Sequence, residues 1–519
     1  MIRPKPAWLY LAALIGVLCG ALPLLAGRPA ALEDWPGHVA RVQILTWLRE
    51  GSDFWPRFYQ VNTFMLPNVS VDISILALHA IGLTVPVAAQ VVLVLTYALF
   101  VGAALALAWA LRTADPFKPL LAVILFYNGA LLDGFVNYMM GAGVALFFLA
   151  AWLAVSRPMW RMFLAMFGGI VVFFCHIVAA GFLLSVLGLL EFASLMRERT
   201  WTLSLLVRHA SPLAAFVPVV LLFALSPTAD TMRVFFGVDL SVLGIVKRKL
   251  ALFGHPVLDG SGRLGAAILL IGAVAFLGVM ALAWRRGQLI PRALPGWYFL
   301  VPGLIGLFLI VPNGVGEGLG LDYRLPPLVF LLAGLFVRLE WHDRGMRLAC
   351  FAILLVVSLA RSASFSHDAA ANAEVYREFA AAARTIPSHS MLLSGIGTPR
   401  TAIPWDEFWR PPAEYMGTQA IADQIFVPSV FAMRSQHTLR LHEEFRSLRR
   451  QFDVSNPLDV ADMLDAAPAI CADWHHRGLT GSVFMVVVYP SAFSDNAFPL
   501  AARHASGTGF RLVDLCVTG

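Results

Sequence analysis

Long apolar runs separated by short, often basic segments fill the first 361 positions. They fall at 7–27, 84–111, 119–130, 138–156, 162–175, 177–195, 209–225, 264–284, 295–311, 325–337 and 348–360. Each predicts a helix, because a chain crossing lipid must satisfy its backbone polar groups within the segment. Several are short of the ~20 residues that a ~30 Å hydrocarbon layer asks for. The stretches 119–156 and 162–195 each read as either a tight hairpin or one long tilted helix. Taking both as single spans flips the sidedness twice and leaves everything downstream in place. The first run is too long for a signal-peptide core, and Arg28 spoils a cleavage pattern, so it reads as a span. Beyond Arg361 the pattern changes. A helical period covers 373–384, Pro387 breaks it, and runs of strand length follow at 391–394, 483–488 and 512–517. The expected architecture is a polytopic α-helical membrane protein of about 11 spans over 1–361, with an outside loop at 28–83. A small α/β domain over 362–519 follows.

Composition agrees and narrows the classes. Of 519 residues 59% are hydrophobic and 13% charged, where a soluble domain carries about a quarter charged. That excludes a cytosolic enzyme, a secreted scaffold and a disordered chain. A net charge of +6 without a dense basic patch excludes a nucleic-acid partner. With the N-terminus inside, the inside loops hold 15 Lys and Arg in 51 residues, against 10 in 100 outside. Basic residues concentrate in cytoplasmic loops, so the N-terminus is read as cytoplasmic and the 362–519 domain as extracytoplasmic. Cys471 and Cys516, the cysteines of that domain, are expected to pair, while Cys19, Cys175 and Cys350, in or beside spans, stay free.

The spans are nearly bare of charge, which counts against ion-coupled transport. Polar groups gather at the outside ends. The first outside loop opens with Glu33, Asp34 and His38 and continues as an amphipathic stretch to Glu50. Asp34 precedes a helix start, as a capping residue does; it can equally act as an outside carboxylate at the membrane surface. The aromatics at 54–59, with Arg57 among them, read as interfacial anchors. Asp133 and Asn137 stand in the second outside turn, and His176 tops the next hairpin, as a packing or a site residue. Lys247, Arg248 and Lys249 sit in an amphipathic stretch over 240–253, read as an interfacial helix against lipid phosphates. The last outside loop alternates glycines from Gly314 to Gly320 and ends in Asp322 and Arg324. Glycines without a preceding strand are not a dinucleotide fingerprint; they let backbone approach a ligand. Arg324 reads as a phosphate clamp or as a headgroup anchor. His475 and His476 beside Cys471 fall short of a zinc spacing.

This layout resembles the membrane glycosyltransferases of the C superfamily (GT-C), among them protein O-mannosyltransferases and bacterial aminoarabinose transferases. The resemblance rests on the span number, the inside N-terminus, the long first outside loop with acids near its start, and the outside C-terminal domain. Glu33 and Asp34 with His38 are similar to that family's acidic loop motif; an Asp-x-Asp pair is absent. The resemblance implies an integral protein of a bacterial inner membrane using a polyprenyl-phosphate sugar donor. Its acceptor would be a glycan, lipid or protein. Asp34 would be the catalytic base and Arg324 would hold the lipid phosphate. Glu33, His38, Asp133, Asn137, His176 and Asp322 would line the substrate region. No cofactor follows from the residues, and a divalent metal is the one candidate the family implies. A lipid-linked glycan flippase or a non-enzymatic envelope assembly protein is the alternative.

Overall fold

The computed structural model describes residues 7–25, 32–63, 65–198, 201–231, 234–235, 241–258, 262–315, 320–396, 418–446, 460–488, 503–507 and 509–517. The fold is mostly helical. The chain divides into two compact units: 1–26, 64–73 and 90–366 form the first; 27–63, 74–89 and 367–519 form the second.

The first unit is built from α1 (Ala7–Leu25), α4 (Val85–Ala110), α5 (Phe117–Phe126), α6 (Gly129–Leu132), α7 (Val136–Ala154), α8 (Pro158–Cys175) and α9 (Ile177–Leu195). It continues through α10 (Leu203–Ala214), α11 (Val217–Ala224), α12 (Pro227–Asp230), α13 (Val242–Leu258), α14 (Gly262–Arg285), α15 (Trp297–Ile310) and α16 (Leu325–Leu335). The remaining helices are α2 (Trp35–Arg49), α3 (Ser70–Ala80), α17 (Arg344–Ala383) and α18 (Val460–His476). Among the described residues seven helices are long and apolar enough to cross a membrane. They are eight if α10 and α11, bent by 40°, count as one span. This is an integral membrane protein. The stretch 119–156 breaks after α5, and 162–195 breaks at His176, where an extended backbone separates α8 from α9. Gly141 of α7 fits against Cys175, His176 and Ala179, so α7 packs on that junction; a Cβ there would lie 2.9 Å from Ala179.

Two small sheets tie the connecting loops together. β3 (Leu289–Ala293) pairs antiparallel with β5 (Val337–Trp341), and β2 (Val234–Phe235) with β4 (Gly314–Val315). In each case the partners are loops that the charge pattern assigns to one side of the membrane. The third long feature differs from the sequence reading. The span at 348–360 and the helix at 373–384 are one continuous helix, the 40-residue α17. Hydropathy drops midway while alanine-rich sequence keeps the helix favourable, so a change of surroundings looked like an end.

The second unit has its own core. A four-stranded sheet runs in the order β6 (Met391–Ile396), β8 (Val483–Val488), β10 (Phe510–Asp514), β9 (Arg503–Gly507), with β6 and β8 parallel and the other pairs antiparallel. Every residue of β8 is buried, as a central strand covered on both faces requires. β1 (Tyr59–Val61) pairs with β7 (Leu439–Leu441). Cys471 of α18 and Cys516 beyond β10 are disulfide-bonded, and Cys19, Cys175 and Cys350 are free thiols. The aromatics at 54–59 are not headgroup anchors: Phe54, Trp55, Phe58 and Tyr59 are buried in this core. Phe58 stacks on Phe426 at 4.1 Å, and Tyr59 donates to the Val427 carbonyl at 2.7 Å. Burying several aromatics outweighs an interfacial position wherever a folded partner is available.

Candidate functional site

The acidic element lies in the second unit. Helix α2 begins at Trp35 with Pro36 in its first turn, and Asp34 occupies the N-cap position. Its backbone is already helical (φ −77°, ψ −13°), and its side chain makes no capping hydrogen bond. A capping residue is normally extended and bonds the second or third amide of the helix; Asp34 is helical instead, and Pro36, the second residue, has no N–H to offer. The helix instead starts through the Asp34 carbonyl, which accepts from His38 N–H at 3.2 Å. The residue is half-buried at the positive end of the helix dipole.

His38 is buried one turn along. Arg41 Nη2 lies 2.7 Å from its Nδ1, and the ring meets Phe431 edge-on at 5.5 Å. Burial first, and the Arg41 charge second, hold its pKa well below the usual 6.5. A guanidinium only donates, so Nδ1 accepts and Nε2 carries the proton of a neutral ring. Arg41 was not singled out by the sequence, though its i,i+3 spacing from His38 was the available signal. Gly37 lies between them and Phe431; a Cβ there would stand 3.2 Å from that ring. Glu33 is half-buried beside Asp34.

The basic element lies in the first unit. Arg324 is the N-cap residue of α16, also with proline in the first turn and also without a side-chain cap. It is buried. Its Nη1 lies 2.9 Å from His176 Nε2, and its guanidinium carbon sits 3.9 Å over the Phe135 ring and 5.7 Å from the Tyr138 centroid. Tyr138 donates to the Arg324 carbonyl at 2.5 Å. His176 Nδ1 faces the Val178 N–H at 3.1 Å. Both ring nitrogens therefore meet donors, and a neutral imidazole has only one lone pair to offer. Two residues earlier Asp322 is fully buried; it accepts from Lys249 Nζ at 2.9 Å and has Arg248 Nη2 at 3.5 Å. Lys249 also donates to the carbonyls of Phe308 and Val311 at 3.0 and 2.5 Å. From Val242 to Phe253 this stretch is helical within α13, but Lys249 points inward to an ion pair rather than to lipid phosphates.

The other predicted residues are placed as follows. Asn137 is buried and accepts through Oδ1 from Ser70 Oγ and Val71 N–H, both at 3.0 Å, which fixes the start of α3. Asp133 ends α6, its N–H donating to the Gly129 carbonyl at 2.8 Å. Residues 316–319 of the glycine loop, Arg28 and residue 240 lie outside the described residues. Among the described residues no three His, Cys, Asp or Glu side chains gather to hold a metal. Cys471, in its disulfide, is no ligand for one beside His475 and His476.

The chain matches no family model and no curated protein. Among solved structures it is similar to the crystal structure of ArnT from Cupriavidus metallidurans bound to undecaprenyl phosphate. Identity is 12%, the TM-score is 0.50, and the likeness covers 99% of this chain and 98% of that one. The fold is GT-C-like. The apo crystal structure of the same ArnT covers 98% of both chains at 13% identity, with a TM-score of 0.48.

Proposed function

We propose that this chain is an integral-membrane glycosyltransferase that moves a sugar from a polyprenyl-phosphate donor to an extracytoplasmic acceptor. The observation that carries the reading is the fold likeness, end to end, to an ArnT crystallised with undecaprenyl phosphate. In this reading α5, α15 and α16 complete about eleven spans, the N-terminus is cytoplasmic, and the membrane is a bacterial inner membrane. The segment after the last span is extracytoplasmic.

The chemistry needs a base and an anion partner. An acceptor hydroxyl attacks the anomeric carbon, the bond from that carbon to the phosphate oxygen breaks, and the hydroxyl proton goes to a carboxylate. Asp34 is that carboxylate, the group that accepts the proton as attack proceeds. Glu33 and His38 belong with the acceptor, His38 as a fixed neutral donor through Nε2. Arg324 takes the departing phosphate, whose planar, two-point recognition suits a guanidinium. Its aromatic surroundings keep that charge poorly hydrated, so an anion gains more from it than from an exposed lysine. Asp322 and Lys249 brace the turn that carries Arg324, and Asn137 braces α3.

The test is transfer itself. Purified protein, given a polyprenyl-phosphate-linked sugar and a mixture of envelope glycans and lipids, should release polyprenyl phosphate and glycosylate an acceptor in equal amounts. Movement of the intact lipid-linked sugar across a vesicle membrane without bond cleavage would replace this reading with a flippase.

A further inference from the structure

The sheet formed by β3 and β5 carries chemistry that the proposed reaction does not use. Its register pairs Leu289 with Trp341, Ile290 with Glu340, Pro291 with Leu339, Arg292 with Arg338 and Ala293 with Val337. Side chains alternate across a strand, so one face is wholly apolar: Leu289, Pro291, Ala293, Val337, Leu339 and Trp341. The other holds Ile290, Arg292, Arg338 and Glu340.

On that face two arginines stand directly opposite each other. Opposed residues in an antiparallel pair have Cβ atoms about 5 Å apart, and like charges there are destabilising. One carboxylate serves both: Glu340 is 3.1 Å from Arg292 Nη2 and 3.9 Å from Arg338 Nε. Three charges therefore leave an excess of +1, and both guanidinia remain more than half exposed. The sheet does not depend on this face for its place. Lys118 Nζ donates to the Val337 carbonyl at 2.8 Å, Leu294 N–H to Phe336 at 2.9 Å and His342 N–H to Gln288 at 2.8 Å. The sheet is thus fixed while its like-charged pair is left open.

The surroundings set the height in the membrane. Helix α14, an apolar span, ends at Arg285, and a turn through Gly287 (φ +67°) leads into β3. Exposed Trp284 closes that helix, and exposed Tyr298 stands in the first turn of α15. Tryptophan and tyrosine at span ends mark the membrane–water boundary. Arg285 and Arg286, exposed on the same turn, add to the positive field.

The geometry points to the Arg292–Arg338 pair as a clamp for the phosphodiester headgroup of an anionic phospholipid. The phosphate bridges the two guanidinia, and the acyl chains run beside Ile290 and the apolar end of α14. Such a ligand neutralises the opposed charges, meets them at headgroup height and brings its own apolar body, which a free anion does not. The site is independent of the sugar-transfer reading.

The test uses the full-length protein in neutral detergent, with phospholipid binding followed by native mass spectrometry. Wild type should retain phosphatidylglycerol over phosphatidylcholine. Each arginine near an anionic lipid surface contributes about fivefold in affinity, so Arg292→Gln with Arg338→Gln should lower phosphatidylglycerol binding by roughly 25-fold. Glu340→Gln should act in the opposite direction and tighten binding, because it removes the competing carboxylate. Thermal unfolding without added lipid reports on folding, and the double variant should unfold no earlier than wild type. Equal retention of both lipids by wild type would overturn the assignment. So would weaker binding in Glu340→Gln, or competition by millimolar inorganic phosphate as effective as by the lipid.

Discussion

Two helix starts in this molecule share a backbone and differ in charge. Asp34 before α2 and Arg324 before α16 both precede a first turn containing proline, both have helical backbone angles, and neither caps with its side chain. The acid sits where a helix end welcomes negative charge; the arginine sits where that end repels a cation, each by about 0.3–1 kcal/mol. Arg324 is also buried, which costs several kcal/mol unless partners offset it. Its partners include the faces of Phe135 and Tyr138 and one nitrogen of His176.

The comparison breaks first at Arg324. Arg324→Ala should weaken binding of polyprenyl phosphate by about a hundredfold, in line with loss of a buried, charge-assisted contact. Arg324→Lys should recover little, since lysine lacks the planar fork. His176→Leu removes the ring that lies 2.9 Å from the guanidinium and should cost about tenfold in the same binding measurement, whereas His176→Asn should retain part of it. Normal lipid binding in the alanine variant would leave Arg324 as a structural cation.

On the α2 side the effect is smaller and depends on pH. His38 folds as a neutral ring with its pKa well below 6.5, so the unfolded chain binds more protons in the acid range. The stability this ring allows is complete above pH 6.5 and is lost as pH falls below it, by at most about 1.4 kcal/mol per pH unit. Thermal unfolding of the second unit between pH 7.5 and 5 should show that decline, and His38→Gln should flatten it. An unchanged slope in the variant would assign the acid sensitivity to another group.

What the sequence disclosed follows from range. The spans were legible because a bilayer demands apolar runs in one continuous stretch, and β8 because a buried strand is apolar throughout. The amphipathic run that became α2 was visible by its period. The pairings were not. His176 and Arg324 are 148 positions apart and Lys249 and Asp322 are 73 apart, and no local period encodes such contacts. Phe54, Trp55 and Phe58 have the composition of an interfacial anchor and of a soluble core alike; only the partners Phe426 and Trp474 decide between them. Hydropathy divides helix α17 because it reports surroundings, and surroundings change along a helix that does not end. The alternation in β3 and β5 spans five residues each, too few to stand out from a basic loop.

The central claim is sugar transfer with Asp34 as the base, and one substitution tests it. Asparagine keeps the size of aspartate and cannot accept the proton. Because asparagine suits a helix N-cap position about as well as aspartate, Asp34→Asn should insert and unfold like wild type. Transfer from a polyprenyl-phosphate sugar, measured at matched protein amounts, should fall by about a hundredfold or more. An Asp34→Asn protein that transfers sugar at the wild-type rate would contradict the account.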